Sequence, residues 1–352
     1  MYSSKYILYP TDRGQVRVEY IKELVVLKNK MICLGIEGTA HTAACSLVSS
    51  KGQILSDVRD MYTKEKGGII PVEAAEHHKN VFPSIIRKAI EEAKVKKIDL
   101  VAYSRGPGLP PCLRETLNAA KDIANDLKVP IIGVNHCISH LTSAHLFTKI
   151  KDPVYIFVSG ANTQIIALEG GKFRIFGETL DTGLGNALDK FGRELGLGFP
   201  AGPKIEELAR KGKYVGLPYI VKGMDLSFSG IVTQTINLFK KGVKKEDLCF
   251  SIQETLFAML TEVTERALAH TKKKECVIIG GVAANKRLAN MMGIMCKERD
   301  AKFYAVPLKY SGDNSVMIGY QGILEYQAGN RSKKLDIYPY ERTDSVNVNW
   351  KY

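Results

Sequence analysis

The chain has seven cysteines but no Cys-x-x-Cys pair. An odd number of thiols without repeated spacing excludes a disulfide framework and a cysteine zinc site, and it fits a reducing, cytoplasmic setting. No apolar stretch is long enough to span a bilayer, so no membrane partner is expected. The first thirty residues lack the apolar core of a signal peptide, and Asp12, Glu19 and Glu23 argue against an organelle transit peptide. Met31 stands just before the first strong strand, so residues 1–30 read either as an extension or as an over-called start. No Walker sequence and no well-placed Gly-x-Gly-x-x-Gly occurs, which removes the P-loop and Rossmann readings.

The 352 residues are enough for two domains, and 45% hydrophobic content marks a globular chain. The formal net charge of +13 points to a polyanionic partner, nucleic acid first, with general solubility as the plain alternative. The basic runs are Lys240-Lys241 with Lys244-Lys245, Lys272 to Lys274, and Arg331 with Lys333-Lys334. No aromatic residue interleaves the first two, so they suit phosphate contacts or solvated faces.

The pattern of elements repeats. A strand at Met31–Ile36, a small-residue turn Glu37–His41, and strands Ala43–Val48 and Gln53–Val58 open the first half. Val154–Val158, the turn Ser159–Thr163, and strands Gln164–Leu168 and Phe173–Thr179 open the second. Helices and single strands then alternate, which predicts α/β domains with covered sheets. Ile98–Ser104, Ile131–Val134 and Cys276–Ile279 read as buried strands. Val72–Ala93 reads as a helix broken at Pro83. Ser251–Thr271 reads as a long helix, with Ser251 and Glu254 forming a capping box at its start. Two such halves suggest a nucleotide held between lobes, its phosphates close to small-residue backbone.

The run Ile131-Ile-Gly-Val-Asn-His-Cys-Ile-Ser-His140 places two histidines one helical turn apart. On a helix capped by Asn135, His136 and His140 share a face and can meet one metal ion. A hydrolytic His-Glu-x-x-His motif would have an acid beside the first histidine, where this chain has Cys137. Taken alone, the pair fits a metal site or a hydrogen-bonded, partly buried helix face. His145 falls off this face and reads as a surface residue.

Seven spaced motifs occur in order. They are Gly35-Ile-Glu-Gly-Thr-Ala-His-Thr42, Gly106-Pro-Gly-Leu109, Gly133-Val-Asn-His-Cys-Ile-Ser-His140, Ser159-Gly-Ala-Asn-Thr-Gln164, Glu178-Thr-Leu-Asp181 with Gly185-Asn-Ala-Leu-Asp-Lys-Phe191, Gly280-Gly-Val-Ala-Ala-Asn285, and Gly312-Asp-Asn314. The set resembles the universal tRNA threonylcarbamoyladenosine synthase family, formerly called O-sialoglycoprotein endopeptidases, from Met31 to Tyr352. The tail Tyr340–Trp350 is similar to the archaeal and eukaryotic branch, the catalytic subunit of the KEOPS complex.

The resemblance implies two ribonuclease-H-like lobes of the actin, sugar-kinase and Hsp70 superfamily. It implies a first lobe over 31–150 completed by about 310–335, a second over 151–309, and a tail over 336–352. It implies transfer of threonylcarbamoyl from its adenylate to N6 of the adenosine next to the anticodon. The implied metal ligands are His136, His140 and Asp313, for one iron(II) or zinc ion per subunit. The implied contacts to ATP or the adenylate are Phe157, Val158, Ser159, Gly160, Ala161, Asp189, Gly202, Glu206 and Asn285. The implied partners are tRNA, a small atypical kinase, a small dimerising subunit and a kinase-regulating subunit. No general base is implied.

Without the resemblance, Asp189 would pair with Arg193, Glu206 would be a surface acid, Asn285 a helix cap and Asp313 a turn or cap residue. Phe157 stands where the family commonly has tyrosine. Ala161 and Ala201 replace glycines and would be strained if those sites need positive φ. Ser315 and Gly319 also vary the last motif. Two further readings are an ATP-binding scaffold that regulates a kinase and, more distantly, a metalloprotease.

Overall fold

The structure is a computed structural model and describes residues 7–10, 16–19, 31–64 and 68–352. Strands β1 (Ile7–Pro10) and β2 (Val16–Glu19) pair with each other antiparallel. The rest of residues 1–30, and with it the choice between an extension and an over-called start, lies outside the described residues.

Strands β3 (Ile32–Glu37), β4 (Thr42–Ser49) and β5 (Ile54–Met61) form an antiparallel meander. Helix α1 (Pro71–Ala93) crosses to β6 (Leu100–Gly106), which lies parallel to β3; α2 (Pro110–Leu127) then crosses to β7 (Ile131–Asn135). The sheet order is β5-β4-β3-β6-β7. Helix α3 (His136–Phe147) leads to the second lobe.

The second lobe repeats the plan. Strands β8 (Val154–Val158), β9 (Thr163–Glu169) and β10 (Lys172–Glu178) form the meander. Helices α4 (Leu184–Glu194) and α5 (Gly202–Ala209), a short hairpin of β11 (Val221–Lys222) and β12 (Asp225–Leu226), and helices α6 (Ser229–Lys240) and α7 (Lys245–Thr271) follow. Then come β13 (Glu275–Ile279), α8 (Lys286–Glu298), β14 (Lys302–Ala305), α9 (Leu308–Ser311) and α10 (Ser315–Gln327). The order β10-β9-β8-β13-β14 matches the first sheet strand for strand. The internal repeat read in the sequence is therefore a repeat of topology.

Each sheet is covered on both faces. On one face of the first, Leu34, Ile36 and Tyr103 pack against Phe82 and Ile85 of α1 and Leu117 of α2. On the other, Cys33, Ala102 and Val134 pack against Met317, Ile318 and Ile323 of α10. On one face of the second, Tyr155, Phe157 and Ile279 pack against Ile138 and Leu141 of α3. Helices α3 and α10 thus lie between the two sheets and touch each other through the Thr142–Gln321 hydrogen bond, 2.7 Å. Both are buried on nearly all sides; α10 is mostly apolar, while α3 also buries His136, Ser139, His140, Thr142 and Ser143.

Three local expectations are corrected. Helix α1 is not broken at Pro83 but runs through it. Pro83 faces solvent, where water can answer the carbonyl left free, while Phe82, Ile85 and Ile86 bury the opposite side. Helix α7 begins six residues before Ser251, with Glu246 and Asp247 in its first turn favouring the dipole. Ser251 is buried in its interior, its hydroxyl donating to the Asp247 carbonyl, and Glu254 takes Arg287 in two hydrogen bonds of 2.7 and 2.6 Å. His145 is half-buried rather than on the surface. It stacks on Tyr352 at 3.6 Å and meets the Tyr155 hydroxyl at 2.7 Å, and burial lowers its pKa to about 4.

The approach of β3 to α10 needs glycine. A Cβ on Gly35 would sit 2.6 Å from the Gly319 backbone nitrogen and closer still to the Ser315 carbonyl. We predict that Gly35→Ala costs at least about 1–3 kcal/mol of stability, the usual range for overpacking, because backbone rather than a flexible side chain must yield. A lowered urea midpoint with unchanged m-value checks this; an unchanged midpoint contradicts it.

Candidate metal and nucleotide site

Strand β7 ends at Asn135, whose side chain accepts from the Ile138 amide at 3.0 Å and caps α3. The next residue is His136, and His140 follows one turn later on the same face. Both rings are buried, with centroids 4.8 Å apart and edge to face. Asp313 enters from the other side of the chain, just before Asn314 caps α10. Its Oδ1 lies 3.5 Å from His136 Nε2 and 3.3 Å from His140 Nε2.

The three side chains offer ligand atoms that all lie within 4.8 Å of one another. Atoms bound to a tetrahedral ion at about 2.0–2.1 Å would stand about 3.3 Å apart. The two measured carboxylate–imidazole separations fit this. Two imidazoles and a carboxylate suit iron(II) or zinc and leave positions open for another oxygen. The residues present therefore fit a metal ion.

Sequence reasoning missed Glu37. It is fully buried at the end of β3, 3.0 Å from His136 Nδ1, and it also accepts from the Thr39 amide (2.7 Å) and hydroxyl (2.6 Å). The charged partner keeps a proton on Nδ1 and leaves Nε2 directed at Asp313. Burial alone would lower the His136 pKa, but the Glu37 charge and hydrogen bond, with Asp313, push it up to about 9. Burial lowers His140, with the Asp313 hydrogen bond opposing. Burial would raise Asp313, yet His140 and His136 hold it below the usual carboxylate range. Glu37 stood inside the first motif, but its partner lies 99 residues away and no local pattern marks it.

The expected nucleotide contacts start beside this cluster. Phe157, at the end of β8, lies against His140 with ring centroids 5.0 Å apart. Val158 is buried, and Ser159, Gly160 and Ala161 form the turn to β9. The turn packs on the start of α4, where the Gly185 and Asn186 amides donate to the Ser159 and Gly160 carbonyls. Gly280, at φ 102°, backs Val158, and a Cβ there would meet the Val158 carbonyl. Ala161 does not take positive φ, and Ala201 sits at φ −85°, so neither alanine is strained.

Asp189 accepts from the Ala201 amide at 2.7 Å at the start of α5, rather than pairing with Arg193. Burial raises its pKa, with that hydrogen bond opposing. Gly202 begins α5, and Glu206 on the same helix accepts from the Lys286 amide at 3.1 Å. Asn285 caps α8 through the Arg287 and Leu288 amides, and its own amide donates to Gln253 at 3.1 Å. Glu206 and Asn285 thus meet at the start of α8, while Asp189 and Gly202 meet at the start of α5. The cap reading holds as local geometry for Asn285, whereas the cap at the start of α10 is Asn314 rather than Asp313.

The basic runs divide. Lys240, Lys241, Lys244 and Lys245 are exposed at the α6–α7 turn. Lys273 is not a phosphate contact, because its ammonium is buried against Asp152 and Glu169 (3.1 Å). Arg331 lies 3.6 Å over the Tyr326 ring. No helix among the described residues is long and apolar enough to cross a membrane.

The architecture is that of known proteins. T. kodakarensis HypF superposes with TM-score 0.61 at 17% identity, covering 88% of this chain and 49% of that one. HypF in its phosphate- and nucleotide-bound form gives 0.60 at 12%, covering 86% and 57%. These likenesses concern the fold alone, two lobes each built on a five-stranded mixed sheet. In sequence, the tRNA N6-adenosine threonylcarbamoyltransferases of Thermococcus kodakarensis and Archaeoglobus fulgidus are 53% and 51% identical over 91% of this chain and all of theirs. A probable bifunctional tRNA threonylcarbamoyladenosine biosynthesis protein of Methanocaldococcus jannaschii is 50% identical over 91% of this chain and 60% of its own length. The family model for tRNA N6-adenosine threonylcarbamoyltransferase (TsaD) matches residues 53–320, and with that match this chain belongs to the TsaD family.

Proposed function

We infer that this protein transfers a threonylcarbamoyl group from threonylcarbamoyl-adenylate to N6 of the adenosine next to the anticodon of tRNA. The observation that carries the chemistry is the convergence of His136, His140 and Asp313 at the end of the strand that feeds the Ser159–Ala161 turn. An adenylate on that turn would have its phosphate near small-residue backbone. In this reading the Glu206 carboxylate, which has an oxygen beyond the one that accepts from the Lys286 amide, would take a ribose hydroxyl, Asn285 would line the same place by capping α8, and Asp189 would order the start of α5. Iron(II) or zinc, held by His136, His140 and Asp313, would supply Lewis-acid polarisation of the carbamoyl oxygen. Glu37 favours the His136 tautomer with its proton on Nδ1, which leaves the Nε2 lone pair free for a metal. Closure of the two lobes brings the acceptor amine into line and excludes water. Exposed lysines such as Lys240, Lys241, Lys244 and Lys245 suit phosphate contacts along the anticodon arm. With tRNA as substrate, we place the protein in the cytoplasm.

A KEOPS-type assembly supplies the partners we propose: a small atypical kinase, a small dimerising subunit and a kinase-regulating subunit. The bifunctional name of the M. jannaschii relative supports a second activity working beside this one. A purely regulatory ATP-binding scaffold gains no support from residue 161, where alanine replaces glycine without backbone strain. A protease reading gains no base from Glu37, which is committed to His136 Nδ1 and Thr39.

Labelled threonine incorporated into unmodified tRNA, with partner subunits and an adenylate-forming enzyme present, tests the transferase. His136→Ala and Asp313→Ala should each abolish incorporation while the far-UV spectrum stays native. Wild-type activity in both would contradict the metal role. Glu37→Gln should weaken metal affinity about 10- to 100-fold, the usual cost of losing a group that orients a ligand. Chelator should remove the activity, and re-addition of iron(II) or zinc should restore it; activity that survives exhaustive chelation would contradict the reading.

A further inference from the structure

The C-terminal tail is tied to both lobes. In the first, the Tyr338 amide donates to the Arg105 carbonyl (2.7 Å), the Gly108 amide to the Pro339 carbonyl (3.1 Å), and the Tyr103 hydroxyl to the Asp336 carbonyl (3.0 Å). In the second, the Val348 amide donates to the Gly171 carbonyl (2.8 Å), Trp350 is buried, and Tyr352 stacks on His145. Between these anchors the chain passes the start of α3 and presents Glu341.

Three donors meet the Glu341 carboxylate. Arg105 gives Nη2 to Oε1 at 2.9 Å and Nε to Oε2 at 3.0 Å, and the Asn135 side-chain amide gives Nδ2 to Oε2 at 3.1 Å. Arg105 Nη1 also donates to the Gly133 carbonyl on β7 at 2.9 Å. A two-pronged guanidinium–carboxylate pair is directional, and this one is largely shielded from solvent. Asn135 has one donating end and one accepting end. With Nδ2 committed to Glu341, Oδ1 must face the Ile138 amide, which is the capping orientation. The opposite rotamer would set a carbonyl against a carboxylate and an NH2 against an N–H. Asn135 is fully buried, so water does not offer an alternative partner.

We propose that Glu341 is a positioning residue for the metal-binding helix. Through the Asn135 amide and Arg105 it fixes the first turn of α3, and with it the direction of the His136 imidazole. The tail is thereby part of the machinery that sets the metal geometry. This inference rests on the metal reading of His136, His140 and Asp313.

The test is titration of the full chain with cobalt(II), followed by its visible d–d absorption, in wild type, Glu341→Ala, Glu341→Gln, Arg342→Ala and His136→Ala. Glu341→Ala should lower cobalt affinity about 10- to 100-fold and alter the band, as expected when support behind a ligand is lost. Glu341→Gln keeps the shape but offers a single acceptor oxygen for three donors, and should lose affinity to a smaller extent. Arg342→Ala, in the same tail but paired on the surface with Asp344 and Glu178, should bind and absorb as wild type. A folded Glu341→Ala protein with wild-type affinity and spectrum overturns the proposal. If that variant does not fold, wild-type behaviour of Glu341→Gln overturns it instead. Wild-type binding by His136→Ala would show that the metal reading itself fails, which is a separate outcome.

Discussion

The structure depends on one buried helix pair. Helices α3 and α10 lie between the two sheets, α3 packed on the second sheet and α10 on the first. Each brings one side of the candidate metal cluster: His136 and His140 on α3, Asp313 at the entry to α10. The distance between these groups is therefore the distance between two packed helices. Close-packed interiors resist small displacements, so the cluster inherits the rigidity of the core rather than the freedom of a loop. Polar contacts inside the pair keep its register. Thr142 donates to Gln321, and Gln321 donates to Glu325 at 2.8 Å, a carboxyl whose pKa burial raises.

Electrostatics then sharpen what packing places. Buried charge is costly unless it is paired, and each charge near the cluster has a named answer. Glu37 is met by His136 and Thr39, Asp313 by both histidines, and Glu341 by Arg105 and Asn135. Two of these carboxylates reach the α3 start from different segments of the chain. Glu37 orients the His136 ring and Glu341 orients the cap residue before it. The start of α3 thus has polar support from β3 through Glu37 and from the C-terminal tail through Glu341.

The sequence showed part of this and hid the rest for physical reasons. His136 and His140 were legible because both fall on one helix, where spacing alone puts them on one face. Asp313 is 173 residues from His140 and needed the family motif to be seen. Glu37 and Glu341 were not assigned roles, since their partners are 99 and 206 residues distant and nothing local distinguishes them from ordinary acids. The repeated meander was readable from alternation and turn residues. The misread boundaries have a common cause: local signals were outweighed by packing. Pro83 is tolerated because it and Lys79, whose carbonyl loses its N–H partner, lie on the exposed side of α1, and Ser251 with Glu254 resembles a cap only until Glu254 is seen to serve Arg287 from another helix. The alanines at 161 and 201 could be judged only from backbone angles, which a sequence does not contain.

Anomalous diffraction from crystals of the purified protein, recorded across the iron and zinc edges, tests the central claim most directly. The account predicts one strong peak among His136 Nε2, His140 Nε2 and an Asp313 oxygen, about 2.0–2.2 Å from each. A peak held by other residues, or metal-replete crystals with no peak at this cluster, would contradict it.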